Sequence, residues 1–204
     1  MNYKTLATEE AVKKAQAGLT ERGFASEVVN NKEEALEKIK SLIPAGASVM
    51  NGSSVTLEQI GYVDYLKSGE HKWDDLHAKV AAEPDKAKRS LLRKQAVLSD
   101  YYLGSVHAVA ETGELVFGSN TGSQMPHIVF TSPNLILVVS TKKIVPSLTE
   151  ALKRLEEYVV PLENEHMKSL YGMGTVYSKT LIFNRQSSMK RNILVLFVKE
   201  DLGF

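Results

Sequence analysis

Cysteine is absent from the 204-residue chain. The chain can therefore form no disulfide, offers no thiol nucleophile, and supplies no cysteine ligand for zinc or an iron–sulfur cluster. A surplus of charge is also lacking, because 25 Lys and Arg residues stand against 24 Asp and Glu residues. Without a basic surface we expect no nucleic acid as a partner, and any binding of a charged molecule should be local.

Long apolar runs are lacking too. No segment approaches the roughly 20 apolar residues of a membrane span, and residues 1–6 do not have the apolar core of a signal peptide. We therefore expect a cytoplasmic protein that does not bind membranes. With 43% hydrophobic residues, the chain can bury one sizeable core, and we predict a single domain over residues 1–204.

The sequence alternates helical with strand-like segments. The pairs Asn31 with Glu34 and Ser147 with Glu150 are capping patterns that predict the starts of two helices. The continuous apolar run at residues 135–139 predicts a central strand that is buried on both faces. This alternation favours a three-layer α/β/α sandwich with a mostly parallel sheet.

A β-hairpin is predicted where residues 101–110 and 114–117 are strand-like on either side of a Glu-Thr-Gly turn. The polar residues 67–98 predict a helical connector or lid. Two more strand-like segments lie in the tail, residues 175–204, and we expect this tail to dock on the edge of the sheet.

The Gly-Ser-Ser loop, residues 52–54, lies between a short buried strand and a capping pattern that predicts a helix starting at Thr56. Free N–H groups at the helix N-terminus, with the hydroxyls of Ser53 and Ser54, would suit a carboxylate or phosphate. The structural alternative is that Gly52 makes the turn while Ser53, Ser54 and Thr56 only cap the helix. The loop is neither a P-loop nor a dinucleotide-binding fingerprint.

A second candidate is the polar loop, residues 118–124. Ligands of open α/β sheets collect beyond the carboxyl ends of strands, so the polar loop can face the Gly-Ser-Ser loop across one crevice. An ordinary connecting loop would have the same composition. Lys142 and Lys143 follow the central strand, and one of them can reach the crevice unless both are simply solvated. The remaining predicted ligand contacts are Asn120, Thr121, Gly122 and Ser123.

Two residues are candidates for proton transfer. His107, predicted within a strand, can donate a proton, and Glu58, in the first turn of the predicted helix, can be a general base. A hydrogen-bonded core histidine and a carboxylate that favours the helix dipole are the structural alternatives. The five histidines show no metal-binding spacing, so we expect neither a metal nor a cofactor.

Several segments, in order along the chain, resemble the lactate-utilisation (LUD) family. They are residues 41–49 leading into 52–61, residues 110–116, and residues 143–148 with the helix that runs to 162. The resemblance implies a sheet similar to that of NagB/RpiA/CoA-transferase-like folds and an association with the oxidation of lactate to pyruvate. The chain resembles a divergent branch, because Ser123 and Gln124 stand where the family usually has an Asn-Arg pair, and the cysteine-bearing C-terminal segment is missing.

Two functions remain open at this point. The first is binding of an organic acid, or of a phosphorylated or CoA-linked small molecule of central carbon metabolism, at residues 51–58 and 118–124. The second is a non-catalytic subunit that assembles or regulates a lactate-oxidising complex with partner proteins; a homo-oligomer is compatible with both. A deep crevice lined by both loops would favour the first, whereas an exposed apolar edge at residues 193–198 would favour the second.

Overall fold

The computed structural model describes residues 1–187 and 190–204 of the chain. Six strands form one sheet in which every pair of neighbours is parallel. In order across the sheet they are β1 (Ala25–Val29), β10 (Asn192–Val198), β7 (Asn134–Ser140), β4 (Tyr101–Gly104), β2 (Ser48–Asn51) and β3 (Asp74–Asp75). The predicted central strand, β7, therefore lies in the interior of the sheet.

Four further strands form a second sheet. In order they are β8 (Ile144–Val145), β5 (Ala108–Ala110), β6 (Leu115–Ser119) and β9 (Lys179–Phe183). Strands β5 and β6 are antiparallel, and the Ala110 N–H donates to the Glu114 carbonyl at 2.9 Å across the turn. The predicted hairpin is confirmed, but it belongs to this second sheet.

Eight α-helices surround the sheets in the part of the chain that the structure describes. They are α1 (Glu9–Glu21), α2 (Lys32–Leu42), α3 (Val55–Gln59), α4 (Tyr62–Ser68), α5 (Leu76–Ala82), α6 (Lys86–Gln95), α7 (Leu148–Arg154) and α8 (Val160–Tyr171). The predicted caps are confirmed for α2, where the Asn31 side chain accepts from the Glu34 N–H at 2.9 Å, and for α7, where Ser147 accepts from Glu150 at 3.3 Å. Among the described residues, no helix is both long enough and apolar enough to cross a membrane.

Alternate residues of β7 enter two different hydrophobic cores, because successive side chains of a strand point to opposite faces of its sheet. Leu135, Leu137 and Val139 pack in a core with residues of α1, whereas Ile136 and Val138 pack on the opposite face with residues of α2. Full burial of each such side chain contributes roughly 1.5–3 kcal/mol. Helices thus cover both faces of the parallel sheet, and the three-layer α/β/α prediction is confirmed.

The strand predicted over residues 101–110 is in fact two strands of different sheets. Strand β4 ends at Gly104 and β5 begins at Ala108, so residues 105–107 cross from one sheet to the other. The crossing carbonyl of Val106 has a side-chain partner, since Lys143 Nζ donates to it at 3.2 Å. Both strands are apolar, so the sequence pattern continues through a break that is not visible locally.

The prediction that the tail docks on the sheet edge is wrong for its second strand. Strand β10 lies between β1 and β7, and Val195, Leu196 and Phe197 are fully buried. Its apolar residues occupy both strand faces, as expected of a strand that is covered on both sides. Only β9, the first strand of the tail, occupies an edge, and that edge belongs to the second sheet.

Residues 67–98, predicted as a helical connector or lid, contain helices α5 and α6, and whether they act as a lid stays a prediction. Helix α3, by contrast, begins earlier than predicted. Its N-cap is Ser54, whose hydroxyl accepts from the Leu57 N–H at 3.3 Å, and not Thr56. The Thr56 hydroxyl is instead 3.0 Å from Lys143 Nζ, a long-range contact that competes with local capping.

Candidate functional site

A cavity of about 680 Å³, here called the crevice, opens at the carboxyl ends of β2, β4 and β7. Asn51 ends β2, Ser105 follows β4, and Lys143 follows β7, and all three line the crevice. These strands are parallel, so their carboxyl ends meet at one edge of the sheet. This is the edge at which ligands of open α/β sheets bind.

Two helical walls flank the floor of the crevice. The connector helices form one wall and α8 forms another. The lining residues of the connector helices include His77, Val80, Arg89 and Arg93, and those of α8 are Val160, Glu163, Met167 and Tyr171. Among the described residues of the crevice lining, Glu163 is the only acidic one, whereas Arg89 and Arg93 carry positive charge. The described lining thus has more positively charged than negatively charged side chains, and anion binding there stays a prediction.

The structure brings the two predicted loops together in this crevice. The lining residues from the Gly-Ser-Ser loop and the start of α3 are Gly52, Ser53, Ser54 and Thr56, and those from the polar loop include Asn120, Thr121 and Ser123. Gly122 lies outside the lining, with a φ of +78° and the side chain of Lys179 packed near its Cα. Helix α3 has only five residues, so its dipole offers little to an anion. Whether these loops bind a ligand stays a prediction.

An arginine that sequence reasoning missed reaches the polar loop from a different element. Arg93 of α6 donates through Nη2 to the Ser123 hydroxyl at 3.4 Å, and the same hydroxyl is 3.1 Å from Thr121 Oγ1. The guanidinium of Arg93 therefore lies beside the polar loop. The loop itself has Ser123 and Gln124 after its glycine, where the LUD family usually has an Asn-Arg pair. The connector gave no motif that could have indicated this contact.

Of the two lysines after β7, Lys143 lines the crevice and Lys142 does not. Lys142 Nζ donates to the Asp201 carboxylate and to the Gly203 carbonyl, the latter at 2.7 Å. Both lysines lie in a 3₁₀ turn, in which consecutive side chains point in directions about a third of a turn apart. The structure therefore places Lys143, and not Lys142, in the lining of the crevice.

Lys143 is buried, at 4% exposure, without a carboxylate partner among the described residues. Its Nζ lies 3.0 Å from Thr56 Oγ1, 3.1 Å from Ser105 Oγ and 3.2 Å from the Val106 carbonyl. Burial, and then the charges of Arg154 and Lys142, hold the pKa of Lys143 well below its ordinary value. The site therefore favours the neutral amine over the ammonium more than water does.

His107 lies in the crossing between β4 and β5, not within a strand as predicted, and it lines the crevice. Its Nδ1 accepts from the Gly118 N–H at 3.0 Å, so Nε2 carries the proton of the neutral ring. Burial, followed by the charges of Lys143 and Arg154, lowers the pKa of His107 to about 3. The ring can donate a hydrogen bond as a neutral group, but its role in proton transfer stays a prediction.

Glu58 cannot act as a base in the crevice. It is exposed and lies against a separate shallow depression between α2, α3 and α4. The reason is the start of α3 at Ser54, which turns Thr56 and Leu57 inward and Glu58 outward. The carboxylate still stands in the first turn of a helix, where it is favourable.

Two buried polar groups of the crevice have unused hydrogen-bonding capacity. Asn51 Oδ1 accepts from no group among the described residues, and the Tyr102 hydroxyl donates to none. The Tyr102 hydroxyl lies against Gly52, where an added Cβ would be only 2.6 Å from it. Burial raises the pKa of the Tyr102 phenol, so the group keeps its proton. Buried groups of this kind are usually paired, and a ligand or water in the crevice would supply the partner.

No group of three or more His, Cys, Asp or Glu side chains among the described residues could hold a metal ion. The chain matches the model of the LUD domain family over residues 12–198. Its fold is similar to the crystal structure of a DUF162 family protein from Deinococcus radiodurans, with a TM-score of 0.56 and 16% sequence identity, over 95% of this chain and 99% of that chain. No curated protein sequence matches the chain. At this identity the structural likeness shows the fold alone.

Proposed function

This chain belongs to the LUD-domain family, which is associated with lactate utilisation, and we propose that its crevice binds an organic acid or a phosphorylated or CoA-linked small molecule. The observation that carries the proposal is the charge of the lining, in which Glu163 is the one acidic side chain among the described residues and stands against Arg89 and Arg93. A bound carboxylate or phosphate would accept charge-assisted hydrogen bonds from the guanidinium groups, and these are stronger than neutral ones.

The floor of the crevice supports the same proposal. The free donor of Tyr102 and the hydroxyls of Ser53 and Ser54 face a space that the protein itself leaves open. An oxygen-rich ligand would satisfy the Tyr102 donor, which otherwise costs roughly 1–3 kcal/mol as an unpaired buried group.

The size of the crevice favours a ligand larger than lactate. A volume of about 680 Å³ lies within the roughly 300–1,000 Å³ typical of sites for drug-sized ligands. Val160, Met167 and Tyr171 add an apolar wall to it. A phosphorylated or CoA-linked compound would use this volume better than a three-carbon acid alone.

The alternative, an assembly or regulatory subunit of a lactate-oxidising complex, has less support. An exposed apolar edge at residues 193–198 would have favoured it, but β10 is covered on both sides by β1 and β7. The crevice lined by both loops is the feature that favours a ligand.

A thermal-shift screen tests the proposal, because a ligand that binds only the folded state raises its stability by about 2.7 kcal/mol at 100 times Kd. The compounds are lactate, pyruvate, sugar phosphates, nucleotides and acyl-CoA. We expect the hit to be weakened by Arg93→Gln and by Ser53→Ala, and to survive Lys94→Gln, the neighbouring exposed residue of α6 that does not line the crevice. No stabilisation by any compound, or an equal effect of the Arg93 and Lys94 variants, would contradict the proposal.

A further inference from the structure

Lys143 has properties that the binding of an anion does not explain. The amine is at the wall of an open crevice, it is buried, and no carboxylate among the described residues lies within ion-pair distance. Buried lysines are ordinarily paired with an acid, because an unpaired ammonium in a low-dielectric environment is costly.

The three oxygen neighbours of Lys143 Nζ can also be kept by a neutral amine, which has two N–H donors and one lone pair. The Val106 carbonyl can only accept, so one N–H points to it at 3.2 Å. The Ser105 hydroxyl gives its own hydrogen to the Val106 carbonyl at 3.4 Å, so it accepts the second N–H at 3.1 Å. Nζ also donates to the Thr56 hydroxyl at 3.0 Å, and in the neutral amine this hydroxyl would instead donate to the lone pair.

The neighbouring charge acts in the same direction. The Arg154 guanidinium is fully buried and, after burial itself, is the main reason that the pKa of Lys143 is low. A lysine desolvated beside another cation is the arrangement that makes an amine nucleophilic at neutral pH.

We propose that Lys143 is a nucleophile that forms an imine with the carbonyl carbon of an oxo acid bound in the crevice. The inference rests on the proposed function, since the basic lining must hold the acid group of the same ligand. The carbonyl supplies the electrophile, and the acid group supplies the charge that Arg89 and Arg93 favour. A hydroxy acid such as lactate satisfies the second requirement but not the first.

The reaction balances without any further reactant. The amine nitrogen attacks the carbonyl carbon, the C=O π bond opens, and a carbinolamine forms. The C–N double bond then forms as the C–O bond breaks, and both amine hydrogens leave with the oxygen as water. The hydroxyls of Thr56 and Ser105, at 3.0 and 3.1 Å from Nζ, are placed to relay those protons.

Reductive trapping tests the proposal on the full chain. The protein is incubated with pyruvate or phenylpyruvate and sodium cyanoborohydride, and the adduct is weighed by mass spectrometry and located by peptide mapping. We expect one adduct per chain, at Lys143, with either oxo acid and none with lactate. The adduct should be lost in Lys143→Met and kept in Lys142→Met, because the Lys142 ammonium points to Asp201.

Thermal shifts measured on the same samples separate the two proposals. Stabilisation by both lactate and the oxo acids without an adduct would overturn the imine and leave the proposed function intact. An adduct that maps to other lysines, or that persists in Lys143→Met, would also overturn it. If the compounds give no stabilisation and no adduct, both proposals are contradicted. Peptide mapping of the adduct in the chain without substitutions shows whether Lys143 is the modified residue, even if Lys143→Met does not fold.

Discussion

Lys143 Nζ lies 3.0 Å from the hydroxyl of Thr56, which joins the turn after β7 to the first turn of α3 at the floor of the crevice. The two residues are 87 positions apart in the chain. This contact takes the Thr56 side chain away from helix capping and supplies a buried amine with one of its three oxygen neighbours.

Replacing this hydroxyl should destabilise the fold. We expect Thr56→Val to lower the free energy of unfolding by about 1 kcal/mol, because the change keeps the shape of the side chain but removes one hydrogen-bond partner of a buried amine. Urea unfolding measures the effect. Thr149→Val, on the exposed face of α7, is the matched control, and an equal loss in both variants would contradict the prediction.

Lys143 should also make stability depend on pH. Between the lowered pKa of the folded chain and the ordinary value of about 10.5, the lysine is protonated in the unfolded chain and neutral in the folded one, so the unfolded state binds more protons. Stability therefore rises with pH in the window between the lowered pKa and the ordinary one, by up to about 1.4 kcal/mol per pH unit.

Lys143→Met should flatten this dependence, as measured by urea unfolding at several values between neutral and alkaline pH. Lys94→Met, at an exposed lysine of α6, is the control. Equal slopes for the Lys143 variant and the parent chain would show that the amine titrates normally in the folded state.

Gly52 and Tyr102 should be coupled in stability. A Cβ at residue 52 would stand 2.6 Å from the Tyr102 hydroxyl, so Gly52→Ala should cost about 1–3 kcal/mol through steric overlap. Tyr102→Phe removes the obstructing oxygen and should reduce the cost of the alanine. A double-mutant cycle measured by urea unfolding gives the coupling, and additive effects would argue against this contact.

His127 should lower stability in acid. Burial lowers the pKa of His127 to about 4, so between about pH 6.5 and pH 4 the unfolded chain takes up a proton that the folded chain does not. Stability should therefore fall by up to about 1.4 kcal/mol per pH unit as the pH drops through this window.

His127→Phe should reduce this dependence of stability on pH in acid. The phenyl ring can keep the stacking on Tyr102, because the two ring centroids are 4.2 Å apart. Unfolding by urea at pH values across the window measures the slope, and His77→Phe, at an exposed histidine, controls for the loss of one imidazole. An unchanged slope in the His127 variant would mean that another group controls the acid limb.

The elements that sequence reasoning placed correctly depend on neighbours in the chain. Asn31 caps α2 through the N–H of Glu34, three residues away, and the apolar run of β7 indicates burial on both faces by itself. The run in β10 carries the same signal of burial on both faces, but nothing local tells which two strands it enters between.

The parts of the site that were missed depend on distant contacts. Arg93 reaches Ser123 across 30 positions, and Thr56 was assigned to a cap because its partner, Lys143, lies far along the chain. The meeting of the two loops was predictable, because the carboxyl ends of parallel strands share one edge of the sheet. Which side chains would complete the crevice was not, because helix α8 and the connector helices approach it through tertiary packing.

The position of β10 has a consequence for how the chain reaches its native state. Strand β1 pairs only with β10 among the described strands, with Ala25 opposite Leu194. The chain between Ala25 and Leu194 must close as one long loop, which is entropically costly, and folds dominated by pairings between distant residues form slowly. During synthesis, β1 cannot pair in the sheet until β10 has been made. Until then, the apolar side chains of β1 can form non-native contacts.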